Sequence, residues 1–118
     1  MRVAALYDVH AMPWALEAVL AELEDVDAIV FGGDIFGGPY PEETYALVMS
    51  LDAVLVRGNA EDSDPRTADL PLAVEVDGVV YCHATPSDNV SMRAVKLPLE
   101  FWYPPVATHE VADGQTTV

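Results

Sequence analysis

The sequence predicts an α/β domain built on a parallel sheet. Three short apolar runs in the first half of the chain each end on polar residues, and amphipathic stretches lie between them. Of the 118 residues, 52% are apolar, enough to bury one core, so a single domain spanning 1–118 is expected.

Residues 2–7 read as a buried strand that delivers Asp8 and His10 at its carboxyl edge. Pro13 suits a first helical turn, and Leu16, Val19, Leu20 and Leu23 follow at the spacing of one apolar helix stripe. A second strand over 27–31 closes on Gly32, Gly33 and Asp34. After a Gly- and Pro-rich loop over 36–41, Pro41, Glu42 and Glu43 start a second helix, with Tyr45, Val48 and Met49 expected on its inner face. The third apolar run, 53–56, is ended by Gly58 and Asn59. A polar loop over 60–69 leads to two alternating runs joined by Asp77 and Gly78, which is a hairpin signal, and the second run ends at His83. Beyond Thr85, Pro86, Pro98, Pro104 and Pro105 break any long element, leaving a loose loop with at most one short helix before a small, polar tail.

Twenty carboxylates against five Lys and Arg give a formal charge of -15, which repels a nucleic-acid backbone. Charged, Gly and Pro residues interrupt every apolar run below membrane-spanning length, so no membrane partner is expected. The lone Cys82 has no internal disulfide partner and the first residues lack a secretory pattern, so a cytoplasmic location is expected.

The chemistry sits at the ends of four apolar runs. These carry Asp8 with His10, then Asp34, Asn59 and His83, and the gaps from His10 onward are 24, 25 and 24 residues, about one β-α unit each. In an open α/β sheet, ligands collect at the carboxyl ends of the strands, so residues one unit apart converge there. Carboxylate, imidazole and amide donors suit Mn, Fe, Zn or Ni. A carboxylate shared by two cations holds them roughly 3.5–4 Å apart, as in phosphoryl transfer, and Asp34 is the candidate bridge.

Simpler readings exist for each residue alone. Asp8 and Asp34 suit helix caps, His10 and His83 suit satisfied core imidazoles, and the glycine pairs suit tight turns. Trp14, Trp102 and Tyr103 read as packing residues, Cys82 as a buried structural thiol, and Glu61 and Asp62 as solvated loop charges. The joint placement of five donors favours a metal site.

Asp8-Val9-His10, Gly32-Gly33-Asp34, Gly58-Asn59 and His83-Ala84-Thr85-Pro86, in this order, resemble the calcineurin-like metallophosphoesterases, particularly their small bacterial and archaeal phosphodiesterase branch. The resemblance covers about the first three-quarters of the chain. It implies an αββα sandwich with an abbreviated second sheet. It further implies that two divalent ions, Mn first, are held by Asp8, His10 and Asp34 and by Asp34, Asn59 and His83. The expected activity is hydrolysis of a small-molecule phosphodiester or phosphomonoester by metal-activated water, without a Ser or Cys nucleophile.

Two departures from the family pattern bear on activity. The third motif usually reads Gly-Asn-His-Asp/Glu, its His assisting the departing ester oxygen, whereas here Ala60 follows Asn59, and Glu61 keeps the acidic position, where the resemblance allows it to orient a ligand. The final Gly-His-x-His motif is not present, and His109 stands without its glycine or partner imidazole, although residues 114–118 resemble the strand that usually follows that motif. A shortened or degenerate family member follows, either an enzyme of reduced rate or a metal-binding or interaction module. Association of copies to cover an exposed sheet face is a further expectation.

Overall fold

The computed structural model describes residues 1–91, 110–112 and 115–117. Its elements are β1 (Val3–Leu6), α1 (Pro13–Ala21), β2 (Ala28–Phe31), α2 (Pro41–Ser50), β3 (Val54–Leu55), a 3-10 turn (Asn59–Ser63), β4 (Ala73–Val76), β5 (Val79–Cys82), β6 (Glu110–Ala112) and β7 (Gln115–Thr117). The first sheet is parallel with order β1-β2-β3, and the second has order β4-β5-β7-β6. Within the second sheet, β4 pairs with β5 and β6 with β7 in antiparallel fashion, while β5 and β7 run parallel.

Alternation along the first sheet decides what each face covers. Ile29, Phe31, Leu6 and Leu55 face the helices and form one core with Leu16, Ile35, Phe36 and Val48. Val3, Val30, Val54 and Val56 face the other way and pack against Val74, Val76, Val79 and Tyr81 of the second sheet. The described residues thus build three layers, helices, parallel sheet and small mixed sheet. The outer helix layer of an αββα sandwich is not among the described residues, and most of the loose segment beyond Thr85, with the one short helix it allows, also lies outside them.

Pro13 and Pro41 each open a helix at its first turn, where their missing N–H costs nothing. Glu42 and Glu43 lie in the first turn of α2, complementing its dipole. The inner faces differ from the periodicity reading. In α1, Leu16 is buried, Val19 is exposed, and Leu23 lies beyond the helix end. In α2, Val48 is buried with Thr44, and Met49 is 54% exposed. Thr44 enters the core because its hydroxyl donates to the Tyr40 carbonyl at 2.7 Å, which removes the penalty of burying it. Trp14 is also half exposed, its ring edge-on to Tyr40 with centroids 4.6 Å apart. Trp102 and Tyr103 lie outside the described residues.

The hairpin turn forms where expected, with Asp77 and Gly78 at φ of 50° and 77°. A β-carbon at Gly78 would meet nothing within 4 Å, so Gly78→Ala carries only the backbone cost of that conformation. We expect a loss of about 1 kcal/mol in urea unfolding, with the midpoint lowered and the slope unchanged. In the tail, β7 forms where the family resemblance places a strand and pairs with β5, while β6, for which the sequence carries no signal, pairs with β7.

Candidate metal centre

β1, β2, β3 and β5 all end beside one another, and the loops that leave them carry the five predicted donors. The 8–11 segment is strapped to the 33–35 segment by backbone bonds from Asp8 N to Gly33 O, His10 N to Asp34 O and Ala11 N to Ile35 O, of 3.1, 2.9 and 2.8 Å. Asp8, His10 and Asp34 adopt left-handed backbone conformations, φ 56°, 49° and 53°. Each such residue costs of order 1–2 kcal/mol, so the straps hold strain at this point.

Asp34 is the centre of the arrangement and is only 8% exposed. Its Oδ1 accepts from the Ala60 N–H at 2.9 Å. Its Oδ2 lies 3.4 Å from His83 Nε2 and 3.7 Å from His10 Nε2. His10 Nε2 is also 3.9 Å from Asp8 Oδ1. One ligand atom each from Asp8, Asp34 and His83 falls within 4.8 Å of the others. The amide end of Asn59 lies 3.2 and 3.3 Å from the two Asp34 oxygens. The structure therefore brings all five predicted residues around one carboxylate. The imidazoles of positions 10 and 83 face the same oxygen.

Hydrogen bonding fixes what those atoms offer. His10 Nδ1 lies 3.2 Å from the Gly37 carbonyl and His83 Nδ1 lies 3.1 Å from the Gly32 carbonyl. A carbonyl only accepts, so each Nδ1 donates and the Nε2 of each neutral ring carries a lone pair. Both lone pairs point toward carboxylates at distances too long for hydrogen bonds. The Asn59 amide donates through its nitrogen to both Asp34 oxygens, and turning that amide over would present its oxygen instead. Two imidazole lone pairs that converge on carboxylates suit a cation, and the backbone bonds behind both imidazoles are the orienting contacts that metal-ligating histidines use.

The bland alternatives for the carboxylates do not hold. The N-caps of α1 and α2 are Met12 and Tyr40, neither helix has a side-chain cap, and Asp8 and Asp34 cap neither. Cys82 is buried at the end of β5, as a structural thiol is. Burial pushes the neighbouring Tyr7 phenol well above its ordinary range, with Cys82, Tyr81 and Asp8 adding to the effect. Glu61 is completely buried, which overturns its reading as a solvated charge and leaves the orienting contact that its place in the third motif allows. Its signal was the spacing from Gly58, since an acid three residues after a turn's first residue reaches back to that residue's N–H. His109 lies outside the described residues.

Strand-end donors around a shared carboxylate, on a parallel sheet backed by a second sheet, place this chain among metal-binding α/β proteins. The sequence pattern of the family described as calcineurin-like phosphoesterase matches residues 1–102, and the chain belongs to that family. A solved metallophosphoesterase from Sphaerobacter thermophilus is similar in structure, with a TM-score of 0.66 and 27% identity. The match covers 80% of this chain and 51% of that one, so the chain spans about half the length of that relative. No curated protein matches it. Among the described residues, no helix is long and apolar enough to cross a membrane.

Proposed function

We propose that this chain hydrolyses phosphate esters, phosphodiesters or phosphomonoesters, at a centre of two divalent cations, manganese first among them. The reading rests on one observation, the convergence of two imidazole lone pairs, two carboxylates and an amide on Asp34. Asp8, His10 and Asp34 would hold one ion, and Asp34, Asn59 and His83 the other. Two such ions, when bound, supply an activated water and neutralise charge building on the phosphoryl group.

The chain's own residues do the rest. Asp34, anchored by the Ala60 N–H, holds the midpoint of the site, while the Gly32 and Gly37 carbonyls keep both rings in the tautomer that presents Nε2. Left-handed backbone at Asp8 and His10 turns two side chains of one short segment into the same site. Ala60 carries no proton for the leaving oxygen, which lowers the rate expected. The acidic composition favours a small ester over nucleic acid as substrate.

The test is hydrolysis of a bis-aryl phosphodiester and an aryl phosphomonoester by the purified chain. Turnover is expected with added manganese, should vanish on chelation and should return when the ion is restored. Rates equal to those of the chelated protein for both esters would overturn the proposal. Ala60 in place of the family's histidine favours a second reading, a relative that binds metal without turnover. Stoichiometric manganese uptake with no hydrolysis would select it.

A further inference from the structure

We propose that Glu61 is a positioning residue of this centre: its buried carboxylate clasps the two loops that carry Asp34 and Asn59 into one frame and so sets the affinity for the ion. The inference rests on the metal-binding reading of the site. Glu61 is 0% exposed and lies in the 3-10 turn that follows Asn59. Its Oε2 accepts from Asp34 N at 3.0 Å and from Gly58 N at 2.9 Å. Its Oε1 accepts from Ile35 N and from Phe36 N, the latter at 3.3 Å.

A carboxylate has about four lone-pair positions, and four backbone donors occupy them. Glu61 therefore has no oxygen to offer a cation and acts through the backbone. Three of its donors are consecutive residues beginning at Asp34, and the fourth is the residue before Asn59. A second bond runs the same way, since the Ala60 N–H donates to Asp34 Oδ1. Thr67 closes the underside, its hydroxyl donating to the Glu61 carbonyl at 3.1 Å. The left-handed turn at Asp34 thus depends on an acid 27 residues away.

A neutral amide in this nest would set N–H donors against N–H donors. Glu61→Gln is expected to remain folded by circular dichroism and to bind manganese roughly ten- to hundred-fold more weakly, the range for lost outer-shell contacts. Gly78→Ala, destabilised in the distant hairpin, should bind it as the parent does. Amide exchange on the metal-free protein adds a readout independent of the ion. In the parent the amides of residues 34, 35, 36 and 58 are expected to exchange slowly, and in Glu61→Gln to become fast while β1 and β2 stay protected.

Should Glu61→Gln not fold, Glu61→Asp carries the test, since it keeps the charge but is one methylene too short to span all four donors. Either folded variant binding manganese as tightly as the parent overturns the proposal, as does rapid exchange of these amides in the parent. A parent with protected amides that takes up no manganese overturns the metal reading instead, and the positioning role with it.

Discussion

Asp34→Asn is expected to fold like the parent and to lose phosphoesterase turnover by roughly 10³-fold or more, beyond the effect of deleting one transition-state donor. The substitution preserves shape. Its amide oxygen still accepts the Ala60 N–H that Oδ1 accepts now. The change falls on the other atom, Oδ2, which lies between His10 Nε2 and His83 Nε2. An amide nitrogen there donates to an imidazole lone pair and closes the position a cation needs. It also removes one negative charge from beside Asp8, so the metal-free variant should melt no lower than the parent. The separation appears on adding manganese: the parent gains about 2.7 kcal/mol at an ion concentration 100 times its Kd, and the variant gains little. Thermal melts with and without manganese, metal content and ester turnover check this together. A variant that keeps the ion-induced shift would remove Asp34 from the centre.

Much of this site was legible because it depends on local pattern. Apolar runs at 2–7, 27–31 and 53–56 mark where strands end, and a parallel sheet brings those ends together whatever the loops do. Asp8, His10, Asp34 and Asn59 could therefore be read as a group, while His83 joined it by spacing and motif although it follows β5 of the second sheet. The burial of Glu61 was not legible in the same way: its place in the third motif allowed an orienting contact, but that burial is decided by backbone N–H groups of residues 34–36, far away in sequence, while its neighbour Asp62 is an exposed charge. Thr44 and Met49 show the same limit on a smaller scale. Hydropathy ranks Met49 as the core residue, but a hydroxyl satisfied within its own helix is buried as readily, and the geometry of packing chose Thr44. The strand at 115–117 owes its form to pairing with β5 and the strand at 110–112 to pairing with β7, partners that local composition does not reveal.

The second large effect is expected from one added methyl group. Gly58 has φ -88° and ψ 174°, extended backbone that alanine adopts without strain, so propensity alone predicts that Gly58→Ala is harmless. Contact predicts otherwise. A β-carbon there would land on the Asp34 backbone nitrogen and Asp34 Oδ1, and would lie 2.9 Å from Glu61 Oε2. None of these atoms can withdraw cheaply: the Asp34 nitrogen is bonded to Glu61, Oδ1 to Ala60, and Glu61 to three further amides. Relief therefore requires the 58–61 turn to move away from the 34–36 segment, which separates Asn59 from Asp34. We expect a loss of about 3 kcal/mol, the upper part of the range for overpacking, together with loss of manganese binding. Gly78→Ala is the matching control, strained in backbone but free of contacts. Urea unfolding and manganese titration of both variants check the comparison. If Gly58→Ala unfolds no more easily than Gly78→Ala and still binds the ion, the two loops are not held against each other as tightly as the clasp requires.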